Sequence, residues 1–329
     1  MNEWQSDVLT VQPDEVAQKA VLGRVHDIMR PVGSFDRLDA LVVWLAGWQR
    51  TDQPHINEPA VVVFAGDHGV VAEGVSQYST EVTAIATRLI SGGLGTMPVL
   101  CDEVGATLTV IDCGVGNQTG NLRTDSALTE ESMQKAWDQG VAAVRDLPEA
   151  TDLLLLGEVG VGNTTAAAAI ACSLLGWDPD LVGRGTGVDD ETLARKRAVV
   201  FDAVFSRGLM DPLECLQVLG GSELVAIAAA TVEARRLSLP MVLDGYGATA
   251  AVAPLEISVP GVLSHTIAGH LSSEPGHGRL LDAIHKEPLL DFQLGLGQAS
   301  GAVMTIPVLR MAIRAVRDVA TASEVRRRQ

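Results

Sequence analysis

The stretch Gly157-Glu158-Val159-Gly160-Val161-Gly162-Asn163-Thr164-Thr165 follows a short apolar run and opens an alanine-rich segment. Glycines at such a junction let the main chain come close to a ligand. Asn163 or Thr164 can cap the helix that follows, whose free N–H groups and dipole hold an anion. Gly157 and Gly162 have the spacing of a Walker loop, but Asn163 stands where that loop's lysine would reach a terminal phosphate. A monophosphate therefore suits this cradle better than a nucleoside triphosphate, which argues against a kinase. A ligand-free strand-to-helix turn is the competing reading, since such turns are common.

Four further constellations carry chemical side chains. Asp67-His68 sits in Gly66-Asp67-His68-Gly69-Val70, where Asp67 either orients a substrate or caps the next turn. Gly183-Arg184-Gly185-Thr186-Gly187-Val188-Asp189-Asp190 precedes Lys196, so this turn and that lysine could supply a second anion contact. The plainer reading, slightly favoured, makes Asp189-Asp190 a helix cap and leaves Lys196 solvated. His265, His270 and His277 do not match the His-Glu-x-x-His spacing and have no cysteine support, which argues against a metal and for a polar, glycine-punctuated loop lining a site. Gly295-Leu296-Gly297-Gln298-Ala299-Ser300-Gly301 reads as a hinge into a last helix. No Gly-x-Ser-x-Gly elbow is present, which removes the commonest hydrolase reading.

These groups need elements to carry them. Short continuous apolar runs at 60–65, 107–111, 153–156 and 241–243 each end in Gly or Asp, the pattern of strands buried on both faces. Helical spacing covers 80–90, 131–144, 164–175, 191–205 and 223–236. Strand and helix alternate, so the fold class is α/β: a doubly wound, Rossmann-like, mostly parallel sheet. Residues 16–48 read as two helices broken at Arg30-Pro31-Val32-Gly33-Ser34, and 301–322 as a final helix. The expected organisation is a small helical lobe from 1–50 and 301–329 and a large domain over 51–300. In an open α/β sheet ligands lie beyond the carboxyl ends of the strands, so the Gly, Asp and Glu groups should converge on one rim.

Composition agrees. The 329 residues are 47% hydrophobic but only 4% aromatic, so the core is built from small aliphatic side chains rather than those of a typical antiparallel sandwich. A formal charge of −17 repels phosphodiester backbones and anionic lipid, which excludes general nucleic-acid binding and leaves phosphate to be held locally. Cys101, Cys113, Cys172 and Cys215 are scattered and read as reduced packing residues of a cytoplasmic protein. The N-terminal sequence lacks a signal-peptide pattern, and no apolar run has spanning length, so a soluble chain without membrane partners is expected.

Taken together, the blocks Gly66 to Val70, Gly74-Val75-Ser76, Gly160 to Thr165, Gly185-Thr186-Gly187 with Asp189-Asp190, Gly220-Gly221, Leu243-Asp244-Gly245 and His270 to Gly276 resemble the nicotinate-nucleotide:dimethylbenzimidazole phosphoribosyltransferase family. The likeness runs through nearly the whole chain. It implies transfer of the phosphoribosyl group of nicotinate mononucleotide to a benzimidazole base, giving α-ribazole 5′-phosphate for the lower ligand of cobalamin. It also implies a homodimer and no metal or organic cofactor. By resemblance, Gly160, Gly162, Asn163, Thr164, Gly187, Lys196 and Ser272 surround the nucleotide and its phosphate. Ser76 and Tyr78 adjoin the base, with Thr80 where the family usually has glutamine, and Glu158 is the acidic residue within the site.

One departure bears on catalysis. The family closes with Arg-Leu-Gly-Glu-Gly-Ser-Gly-Ala, whereas this chain has Gly295-Leu296-Gly297-Gln298-Ala299-Ser300-Gly301-Ala302. The family's general-base glutamate is Gln298, and its phosphate-facing arginine is Gly295, with Arg279 a candidate replacement. A carboxamide can hydrogen-bond the base but takes no proton at neutral pH. The expectation is a transferase, slowed or tuned to a related base, in which Glu158 or water takes the proton; the alternative is an inert homologue that binds ligands or a partner.

Overall fold

Six strands form one parallel sheet in the computed structural model, which describes residues 4–327. They are β1 (Pro59–Ala65), β2 (Thr107–Asp112), β3 (Leu153–Val159), β4 (Met241–Leu243), β5 (Thr266–Ser272) and β6 (Pro288–Leu294). The spatial order is β2-β1-β3-β4-β5-β6, every neighbouring pair parallel. From β1 the chain first runs outward to β2 and then returns to the other side of β1 for β3. That reversal opens a crevice at the carboxyl ends of β1 and β3.

Alternation along the strands splits the core in two. Val62, Phe64, Leu154, Leu156, Met241 and Leu243 face the helices Glu130–Arg145, Asn163–Leu175, Ser222–Arg236 and Tyr246–Ser258. Val61, Val63, Leu153, Leu155 and Val242 face the other way, sharing a cluster with Val21, Val42, Leu45, Leu309 and Ile313. The helices Glu15–Asp27, Asp36–Gln49 and Ile306–Arg317 pack there on one another. Leu153 through Leu156 are wholly buried, each contributing about 1.5–3 kcal/mol of transfer free energy.

β1, β4 and the expected helices agree with the periodicity to within one or two residues, whereas β3 runs three residues past its expected end, to Val159, and the interior strand β5 is not among the expected runs. The edges differ as well. β2 alternates exposed and half-buried positions instead of being covered on both faces, because it forms one margin of the sheet. β6 forms the other margin; its Pro288 start and polar Asp291 and Gln293 concealed it. The final helix is not continuous over 301–322 but divides into Ser300–Val303, Ile306–Arg317 and Ala322–Arg327. All four cysteines are free and buried. The apolar residues 81–104 are long enough to cross a membrane by composition, but they form two helices, Glu81–Ser91 and Thr96–Val104, separated at Gly92 to Gly95.

Candidate active site

A cleft of about 1150 Å3, counting its open mouth, lies over the carboxyl ends of the central strands. Its floor is the end of β3. Glu158 is 7% exposed there, and Asn163 donates its side-chain amide to the Glu158 carboxylate. Burial, and then the negative charges of Asp244 and Glu223, push the Glu158 carboxyl well above its usual range, against the opposing Asn163 hydrogen bond.

The helix Asn163–Leu175 begins at Gly162, whose φ of 95° suits glycine and serves as the cap. Neither Asn163 nor Thr164 caps it, contrary to the sequence reading: Asn163 turns to Glu158, and the Thr164 hydroxyl accepts from Lys196 Nζ at 2.9 Å. The amides of Val161, Asn163 and Thr165 donate to Thr83 Oγ1, Gly160 O and Gly162 O. Those of Gly162 and Thr164 have no protein partner among the described residues. With no capping side chain over them, these two N–H groups are open to an anion.

Lys196 is not solvated. It is 1% exposed and donates to Thr164 Oγ1 and to Gly183 O, both at 2.9 Å. Burial lowers its pKa to about 8, with Glu274 opposing. Asp189 does cap the helix Asp190–Phe205, accepting from Thr192 N. The same helix thus carries its cap in solvent and its lysine inward, two turns on.

The opposite wall is the loop Leu294 to Gln298. Gln298, at φ 62°, donates its main-chain N–H to the main-chain Glu158 O at 3.0 Å and lines the cleft with Glu158. Asp244, at the end of β4, holds this loop: its buried carboxylate accepts from Ala299, Gly301 and Ala302 N–H at 3.1, 2.8 and 3.0 Å. The loop also needs Gly157, where a β-carbon would meet Ala299 N at 2.1 Å and Gln298 C at 2.3 Å. Gly157→Ala is therefore expected to push Gln298 away from Glu158, costing at least about 3 kcal/mol and most of the activity, as read by chemical denaturation and turnover.

Of the residues singled out in the sequence, Ser76, Tyr78, Glu158, Gly160, Gly162, Asn163, Thr164, Lys196, Ser272 and Gln298 all line this cleft. Gly187 does not; it is exposed at the far side of its turn with φ 99°. Thr80 also lies off the lining, accepting from Gln118 Nε2 and starting the helix Glu81–Ser91. Asp67 and His68 are structural: Asp67 accepts from Gly116 N–H at 2.7 Å, and His68 Nε2 lies 2.6 Å from Glu223 Oε1. Arg279 pairs with Asp178 outside the lining. The three-histidine stretch is not a loop, since its first half is β5. His265 and His277 are internal, bonded to Thr231 O and Thr249 Oγ1, and only His270 reaches the cleft. Among the described residues no cluster of His, Cys, Asp and Glu could hold a metal ion.

Several lining residues lay outside the sequence reading: Thr83, Val82 and Ala86 from the helix after Tyr78, Tyr246 and Gly247 after β4, and Glu274. Asp244 and Glu274 carried a signal, an acidic group at or just past a strand end. The helix residues carried none, because only the packing of that helix turns its small side chains inward.

A parallel sheet with open main-chain amides and a buried carboxyl at its switch point defines an open α/β protein with its ligand cleft where such folds bind ligands. A phosphoribosyltransferase family model matches residues 10–326, and the chain belongs to that family. A relative from Mesorhizobium japonicum, named nicotinate-nucleotide–dimethylbenzimidazole phosphoribosyltransferase, is 43% identical over 315 residues, covering 94% of this chain and 92% of its own. One of the same name from a Jannaschia species is 41% identical, covering 95% and 93%. The crystal structure of CobT from Thermus thermophilus superposes with a TM-score of 0.89 at 38% identity, covering 94% of this chain and 98% of that one.

Proposed function

We propose that this chain transfers the phosphoribosyl group of nicotinate mononucleotide to 5,6-dimethylbenzimidazole or a related base, releasing nicotinate and forming α-ribazole 5′-phosphate. The observation that carries the reading is the convergence, in one cleft, of unpartnered amides at Gly162 and Thr164 with Glu158 on the floor and Gln298 beside it. The names borne by relatives of nearly full length point to the same substrates. Neither the geometry nor the relatives favours an inert homologue.

In this mechanism the Gly162 and Thr164 amides, with Lys196 and Ser272, hold the 5′-phosphate and fix the ribose. Ser76 and Tyr78 border the base, with Val82 and Ala86 supplying apolar surface beside them. The lone pair of the acceptor nitrogen attacks C1′ as the glycosidic bond breaks and its electron pair returns to the pyridinium ring. The second benzimidazole nitrogen then sheds its proton. Gln298 can orient that N–H but not receive the proton, so Glu158 takes it. Burial and the charges of Asp244 and Glu223 raise the Glu158 carboxyl well above its usual range, and the pyridinium cation of a bound nucleotide opposes that shift by favouring the carboxylate that serves as base.

The test is direct: purified protein with nicotinate mononucleotide and dimethylbenzimidazole should yield α-ribazole phosphate and nicotinate in equal amounts by chromatography, and no product would end the proposal. Lys196 adds a pH signature. It binds phosphate when charged, so nucleotide affinity should fall as pH rises through about 8, by about tenfold per pH unit beyond it. Calorimetry on either side of that value reads the slope, and Lys196→Arg should flatten it. A homodimer in the cytoplasm is part of the proposal, as is a helical lobe of 1–50 and 301–329 backing the 51–300 unit.

A further inference from the structure

Phosphate is the most demanding group the proposed substrate brings to this cleft, because it carries close to two negative charges past the acids Glu158 and Glu274. Among the lining residues only two are cationic, Lys196 and Arg184. The Lys196 ammonium already gives hydrogen bonds to Thr164 Oγ1 and Gly183 O and sits where burial disfavours its charge. One partly committed lysine leaves the dianion under-neutralised.

We infer that Arg184 is the second cationic ligand of the phosphate, beside Lys196, its guanidinium exchanging the Asp190 carboxylate for the phosphoryl group when the nucleotide enters. The inference rests on the phosphoribosyl-transfer reading.

The turn that carries Arg184 is fixed from three sides. Gly185 N–H donates to Glu274 at 2.7 Å, Gly183 O accepts from Lys196, and Thr186 O accepts from Gln77 at 2.9 Å. It lies against the phosphate cradle: a β-carbon on Gly185 would be 2.9 Å from Thr164 Oγ1 and 3.6 Å from Lys196 Nζ. The neighbouring arginine is thus rooted beside the open amides. Its side chain, in contrast, is half-exposed and loosely engaged. It donates to Val188 O at 2.8 Å and to Asp190, whose side chain is 93% exposed. A solvent-facing pair of that kind is weak, so little opposes its exchange. A guanidinium also matches two phosphoryl oxygens at once, which the Lys196 ammonium does not.

The experiment compares the enzyme with Arg184→Gln and Arg184→Lys on nicotinate mononucleotide and on its dephosphorylated riboside, by turnover and by calorimetry. The expected result is a rise in nucleotide KM and Kd of about 10–100-fold in Arg184→Gln, with kcat within about threefold, a partial effect in Arg184→Lys, and no change for the riboside. Unchanged nucleotide affinity overturns the inference. So does an equal penalty on the riboside, which would mark Arg184 as a brace of its own turn. If the unmodified protein binds the nucleotide but forms no product, the transferase reading fails while the calorimetric comparison still decides Arg184. If it binds no nucleotide at all, both fall.

Discussion

Glu158→Gln is expected to lower kcat by about 10²–10⁴ while leaving the KM for nicotinate mononucleotide within a few-fold. The variant keeps the shape and the hydrogen-bonding capacity of the side chain but leaves two carboxamides, at 158 and 298, facing the acceptor. With neither 158 nor 298 able to accept the proton, water and the orienting groups carry the reaction more slowly, so the loss should lie in kcat rather than in binding. The unmodified enzyme should show the complementary pH dependence: kcat/KM rises with a limb above the ordinary carboxylate range, since burial and the charges of Asp244 and Glu223 push the Glu158 carboxyl well above that range. Arrest of turnover by collapse of the fold is readily distinguished. A carboxyl whose folded pKa exceeds its unfolded value near 4.5 contributes stability that is complete below the unfolded value and lost as pH climbs through the folded one. Glutamine imitates the protonated form and does not titrate. Glu158→Gln should therefore be at least as stable as the parent at neutral pH, measured by thermal unfolding, and unchanged kcat would remove Glu158 from the reaction.

Asp244→Ala should produce the largest loss of stability of any substitution near the cleft, about 3–5 kcal/mol, together with loss of turnover. The 1% exposed carboxylate accepts three main-chain N–H groups, from Ala299, Gly301 and Ala302. Removing it strands all three donors in a site that water reaches poorly. It also frees a loop that holds Gln298 and Ala299 at φ 62° and 70°, left-handed values that side chains with a β-carbon adopt at a cost. Once released, the loop relaxes, and Gln298 no longer bonds to Glu158 O. Denaturant titration reads the first effect and product formation the second. A stable variant in which Gln298 stays in place would show that Asp244 does not anchor the loop.

Much of this was legible in the sequence because the central elements follow local rules. The runs at 60–65, 153–156 and 241–243 are apolar without interruption since both faces of those strands are covered, and each ends in residues that can line a rim. The glycine-punctuated stretch from Gly157 to Thr165 marked a strand-to-helix junction that does line the cleft, and the blocks around it carried the family resemblance. β6 escaped notice because a margin needs only one covered face and tolerates Pro288 and Asp291, and β2 was expected at its place but as a strand covered on both faces. β5 escaped notice because buried polar side chains such as Thr266 and His270 look like loop composition until the packing around them is known.

Residue order alone settled the α/β alternation and set a glycine-rich turn between a strand and a helix, while the family resemblance put Gln298 at the place of a proton acceptor. Which groups meet was left to the assembled molecule. It buried Lys196 under the turn before its own helix, sent His68 to Glu223 instead of the cleft, left Gly187 and Thr80 outside, and gave Asp244 the loop that holds Gln298. The division arises because spacing along a chain fixes which face of an element a side chain occupies and nothing more. The charge, protonation and hydrogen bonding of that side chain are set by neighbours distant in the chain, brought alongside only when the sheet is assembled.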